Sequence, residues 1–149
     1  MADMKTLNFG LPKRKKFSID GDETRVVELD TGDTGIIARW SAVQEWIGSA
    51  AEELERLSGM NQDETQAMET SKRFAEINEG AREKLNYLFD ADVCTPIAGN
   101  GALIRLVNGD PLFMLIVDTL LPLYEADIKI EYEKSRKRIE KHTAKYAGK

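Results

Sequence analysis

Fourteen consecutive residues, PLFMLIVDTLLPLY at positions 111–124, carry a single charge, Asp118, in a chain whose charged residues make up 32% of the total. Such a run has to leave water, by entering a membrane, filling a core or meeting a partner. A spanning helix needs about 20 apolar residues and tolerates a carboxylate at its centre poorly. This run is shorter than that and has Asp118 near its middle, so the expectation is a core helix and no membrane contact. Asp110 is placed to cap the helix and Pro111 to open it, because a proline at the first helical position sacrifices no hydrogen bond. Pro122 leaves the Asp118 carbonyl without its helical donor and is expected to bend the helix. The pattern predicts burial nearly all round in the first three turns, with Asp118 a hydrogen-bonded buried group.

One buried helix needs other elements to bury it. Ile36, Trp40, Val43, Ile47, Ala50, Leu54 and Leu57 alternate in steps of four and three, which gives one apolar seam along a helix. Thr31 and Asp33 are its candidate caps and Gly59 its natural end. Trp40 lies on the seam and is expected in the core, whereas Trp46, beside Ile47, is expected half exposed. Asp63 can cap a second helix running to about residue 89 through Phe74, Ile77, Ala81, Leu85 and Leu88, so the two should form an antiparallel hairpin. Upstream, FSIDGDETRVVEL reads as a β-hairpin turning at Asp20-Gly21. Downstream, DADVCTPIAGNGALIRLVNGD is broken by Pro96, Gly99, Gly101 and Gly109, with a short helical turn expected at residues 102–107.

Beyond Pro122 the apolar residues thin to Tyr124, Ile128, Tyr132, Ile139 and Tyr146, one narrow stripe in a highly charged helix. A helix from residue 111 to 146 would reach about 54 Å, more than a domain of this size can cover. The expected fold is mainly α, with an N-terminal β-hairpin followed by a helical hairpin and a long, Pro-bent C-terminal helix. Three regions follow: a flexible basic arm (1–16), a mainly helical core with the β-hairpin (17–123) and a projecting charged helix (124–149).

The formal net charge of −5 and the pI near 5.0 argue against general affinity for nucleic acid or an anionic membrane. Basic residues gather at the two ends, in KRKK at 13–16 and in the C-terminal tail. The single cysteine, Cys94, cannot form an internal disulfide, which fits a reducing compartment, and MADMKTLNFG lacks the apolar run of a signal peptide, so nothing points to export. One cysteine and one histidine, His142, do not make a zinc set, and no carboxylate triad surrounds them. DGDETRVVELDTGD departs from a calcium loop at Thr24 and Arg25, and GNG at 99–101 lacks the Gly-Lys-Ser/Thr of a phosphate loop. No catalysis, cofactor or metal is therefore expected. The thin stripe becomes the candidate partner-binding surface: Tyr124, Ile128, Tyr132 and Ile139, with Arg136 and Arg138 on its rim. The same stripe can instead pack on the chain's own hairpin or make a homo-oligomer.

The order of these parts resembles a known family. FSIDGDETRVVEL, the entry LDTGDTGIIARW, the helical hairpin, LNYLFDADVCTPIAGNGAL and the RKRIEKHTAKY ending are similar to the tail assembly chaperones of long-tailed phages and prophages of Gram-positive bacteria, over most of the chain from about Phe17 onward. The resemblance implies a small, non-enzymatic, mostly helical protein of the host cell cytoplasm. It implies association with the tape measure protein, a very long helical chain kept soluble while tail-tube subunits polymerise around it. Many such proteins occur in a short and a frameshifted longer form, and this chain would be the short one. Two other readings remain: a virion structural or adaptor protein whose arm and hairpin extend a neighbour's sheet, and a nucleic-acid-binding or anti-defence protein acting through KRKK and the tail.

Overall fold

Asp20 and Gly21 both take positive φ, 51° and 76°, the backbone of a type I′ turn. They join β1 (Lys15–Ile19) and β2 (Asp22–Leu29) as an antiparallel pair in which Phe17 faces Val27 and Lys15 faces Leu29. The structure, a computed structural model, describes residues 3–59 and 63–147, without the side chains of residues 142 and 144–147. Pairing begins two residues before the expected Phe17, because the end of the arm is held from outside the hairpin. The Lys15 ammonium donates to Asp127 Oδ2 at 2.7 Å, and Arg14 Nη1 donates to the Asp90 carbonyl at 3.0 Å.

Helix α1 (Ile36–Ser58) buries Ile36, Val43, Ile47, Ala50 and Leu54 of the expected seam. Neither predicted cap closes it: the N-cap is Gly35, with no side-chain bond. Asp33 instead accepts from the Gly35 amide at 2.9 Å and from Arg39 at 3.1 Å, and the buried Thr31 hydroxyl donates to Asp127. Helix α2 (Glu64–Leu88) does open at Asp63, in a capping box with Gln66 that satisfies two end amides at once. Its antiparallel packing on α1 is fixed at three levels. Glu53 meets Arg73 at 2.7 Å, the Trp46 ring lies over Gly80, and Arg39 donates to the Leu88 carbonyl at 2.8 Å.

Asp90, at φ 49°, ends α2 in the left-handed conformation usually given to glycine. The chain then folds back along a polar stripe of α2. Asn86 Oδ1 accepts from the amides of Val93 and Cys94 (3.0 and 3.3 Å), Arg82 donates to the Gly99 carbonyl (2.9 Å), and Asn78 Oδ1 accepts from the Leu103 amide (2.6 Å). The helical turn of this segment is α3 (Cys94–Ala98), not residues 102–107. There the chain forms a small ladder instead, β3 (Leu106–Val107) with β4 (Asp110–Pro111). Asn108 and Gly109, at φ 54° and 90°, make a second type I′ turn, and this geometry suits strands and not a helix.

Asp110 and Pro111 therefore belong to a strand, and α4 (Leu112–Ala147) starts after them. Its first amides, of Leu112 and Phe113, donate to the carbonyls of Arg105 (2.7 Å) and Leu103 (3.0 Å), so the preceding loop does the capping. Phe113, Ile116, Val117, Leu120, Tyr124 and Ile128 are buried, while Leu115 and Asp118 are exposed. The expected all-round burial is thus replaced by one-sided burial, because the other elements cover only one side of α4. Asp118 is a surface residue. The helix runs on through Pro122. Burial ends at Ile128, beyond the boundary expected at residue 123, and every described side chain from position 129 onward is exposed. The fold is mainly helical, with an N-terminal antiparallel β-hairpin, two paired helices and a long C-terminal helix. Among the described residues no helix is long and apolar enough to cross a membrane.

Candidate partner-binding groove

Where α1 begins, its first turn lies against the middle of α4, and the two helices leave an apolar groove of about 550 Å³ between them. From α1 come Ile36, Ile37 and Trp40; from α4 come Leu121, Tyr124, Ile128 and Tyr132, with Glu125, Lys129, Glu133 and Arg136 at the edges. Tyr124 forms part of the floor. It is 1% exposed, its hydroxyl donates to the Phe89 carbonyl at 3.2 Å, and its ring lies 5.7 Å from that of Phe89. Burial pushes the Tyr124 phenol up to about 12, so it stays a neutral donor.

Two anchors set the position of the walls. Arg39 bridges Asp33 and the last carbonyl of α2, a favourable place for a cation at a helix C-terminus. The Gly35 amide, and then Arg39, hold the Asp33 carboxyl below its ordinary range. On the opposite face of α4, Lys15 and Thr31 both bond Asp127, which lowers its carboxyl in the same way.

The predicted stripe divides at this groove. Tyr124 and Ile128 are buried in the chain's own core, as the groove floor. Tyr132 is 58% exposed and stands as a wall, Arg136 is on the rim, and Ile139, 61% exposed, lies beyond the groove on the same side of the helix. Arg138 is exposed but sits about 120° round the helix from Tyr132 and does not face the groove. Tyr146 and His142 have side chains outside the described residues. Trp40 is half buried as a groove wall, not a core residue, and Trp46 is half buried as expected.

Sequence reasoning missed Ile37, Leu121, Glu125, Lys129 and Glu133. Ile37 stands one place off the seam, where a large apolar residue 55% exposed is the available signal. A second open groove on the same side of α4 is floored by Leu54, Phe74, Ile104 and Met114 and edged by Glu52, Glu55, Asp110 and Asp118. Cys94 is fully buried, and burial pushes its thiol up to about 12, which leaves no thiolate nucleophile near neutral pH. Among the described residues no cluster of His, Cys, Asp or Glu side chains could hold a metal ion. No protein-family model matches the chain, no curated protein is significantly similar to it in sequence, and no solved structure is significantly similar to it in fold.

Proposed function

We propose that this protein is a non-enzymatic assembly chaperone that binds an amphipathic helix of a long helical client in the α1–α4 groove. The observation that carries the reading is the open apolar groove running out along α4 into an exposed stripe. Tyr132, a groove wall 58% exposed, and Ile139, 61% exposed, continue the line of the groove floor along α4 past its buried part. A helix lying there would find an apolar track about three turns longer than the buried part of α4, with charges of both signs along its edges. The resemblance to tail assembly chaperones supplies the client: the tape measure protein of a phage tail, bound in the host cytoplasm, with tail-tube subunits as further contacts.

The test is a tagged pull-down from the native producing cells, treated with nuclease and read by mass spectrometry, beside the variant Tyr132→Ser/Ile139→Ser. One very long helical protein should be recovered with the wild type and lost with the variant, at an unchanged melting temperature. Recovery of tube or capsid subunits alone would favour a structural role. That second reading draws on the arm, where Met4, Leu7, Phe9 and Leu11 are all at least 76% exposed, as an assembly contact would be before docking.

A further inference from the structure

The exposed face of α4 is charged in a pattern that is complementary to itself when reversed. Along its first half this face carries the exposed Asp118 and Glu125 and the half-buried, groove-lining Met114 and Leu121, in the order Met114, Asp118, Leu121, Glu125. Read backwards from the far end, the second half gives Ile139, Arg136, Tyr132 and Lys129. The order is therefore apolar, acidic, apolar, acidic in one direction and apolar, basic, apolar, basic in the other. These positions follow one another in steps of three and four, so they share an arc about 80° wide on one side of the helix. None of them is buried, and seven line the two grooves described above, with Ile139 past the end. Glu133, the acid of the second half that lines the groove, lies about 40° outside that arc, one turn on from Lys129.

We propose that this face is an interface between two copies of the chain, with the α4 helices antiparallel about a two-fold axis that crosses the interface at the level of residues 126–127 along the helix. All four pairings are centred at that one point to within half a residue: Met114 with Ile139, Asp118 with Arg136, Leu121 with Tyr132, and Glu125 with Lys129. A two-fold repeats each pairing, as an isologous contact must. The register puts opposite charges together at four places and apolar side chains together at four more. A parallel, in-register pair would set each charge against its own kind, so the pattern selects the antiparallel dimer.

The fold leaves these groups free for the task. Among the described residues Arg136 pairs with Glu140, at 3.9 Å and with both side chains 70% exposed, a pairing that gives way easily. An unrelated amphipathic helix would fill the apolar track but would have no need of the acidic-to-basic inversion along it. The self-association stands without the chaperone reading. Its consequence does rest on that reading: the second copy covers the groove, so client and dimer exclude one another and the free protein is held with Tyr132 and Ile139 out of water.

Sedimentation equilibrium across the micromolar range tests this on the full chain. The wild type should dimerise. Asp118→Arg and Arg136→Glu, each alone, place like charges at two of the four ionic contacts and should weaken the dimer about tenfold or more. An equimolar mixture of the two variants restores both contacts in the heterodimer, and the double variant Asp118→Arg/Arg136→Glu restores them in the homodimer. Both positions are exposed, so circular dichroism and the melting temperature read at concentrations where every form is monomeric should not change. A wild type that stays monomeric overturns the proposal, as does a dimer indifferent to the single charge reversals or one that the double variant fails to restore. Client capture by the pull-down is read separately, so loss of one result does not imply loss of the other.

Discussion

Gly80 on α2 offers a prediction whose sign depends on one ring. By helix propensity alone, Gly80→Ala should stabilise α2 by about 1 kcal/mol. A Cβ at Gly80, however, would stand 2.5 Å from Trp46 Cζ2 and 3.0 Å from Cη2, against ordinary contacts beginning near 3.4 Å. The ring or the helix has to move by about 1 Å, and overpacking of that kind costs about 1–3 kcal/mol. The net expectation is a loss of about 1 kcal/mol, equivalent to about 2–4 °C in melting temperature for a chain of this size. In a Trp46→Ala background the obstacle is gone, and the same substitution should gain about 1 kcal/mol. The coupling between the two sites is then about 2 kcal/mol, well above the additivity error for distant sites. Urea unfolding followed by far-UV circular dichroism measures all four members without relying on tryptophan emission. If Gly80→Ala stabilises the wild type as much as the Trp46→Ala variant, the ring does not lie over Gly80 and the account of helix packing here is wrong.

Two further predictions separate core from surface and one charge state from another. Tyr124→Phe removes the hydroxyl donated to the Phe89 carbonyl and leaves that acceptor short in a buried place, so it should cost about 1–2 kcal/mol in chemical denaturation, while Tyr132→Phe should cost almost nothing. Asp127→Asn loses the ion pair to Lys15 and should cost less than about 1 kcal/mol near neutral pH, given how exposed Lys15 is. Because Lys15 and Thr31 lower the Asp127 carboxyl below its ordinary value in the folded state, its contribution is complete above about pH 4 and fades as the pH falls through the folded value. Melting temperatures of wild type and variant should therefore converge on acidification, and a gap that persists at pH 2 would show the ion pair is not its source.

Elements with a long apolar period were legible in the sequence. The seam of α1, the Asp63 cap and seam of α2, and the Asp20-Gly21 hairpin each rest on a local pattern that packing reinforces. The ladder around Asn108-Gly109 was not, because strands of two residues carry no period and a short apolar stretch reads equally well as a turn of helix. Asp118 was misplaced for a related reason. When nearly every neighbour is apolar, the run has no visible polar face to show which side is open. Gly80 carries no local pattern that sets it apart, and it is the ring of Trp46 on another helix that lies over it. The ladder of Asn78, Arg82 and Asn86 that holds the loop was hidden among the polar residues of α2, which read as a solvated face.

The stripe on α4 shows why a candidate site can be half legible. Tyr124, Ile128, Tyr132 and Ile139 are alike in sequence, and what separates them is where α1 begins. That point is set by residues remote in sequence from both groove walls, at the end of α2. Arg39 reaches the Leu88 carbonyl from α1, Tyr124 reaches the Phe89 carbonyl from α4, and Arg14 reaches Asp90 from the arm. Three segments remote in sequence are thus tied to three consecutive residues, and the first part of the groove is held in place before anything binds. Past Ile128, among the described residues, the ion pairs of α4 stay within the helix, Lys134 with Glu131 and Arg136 with Glu140. A helix entering the groove would meet preset walls at one end, where little ordering is lost, and unanchored side chains at the other, where reach and charge matter more than fit.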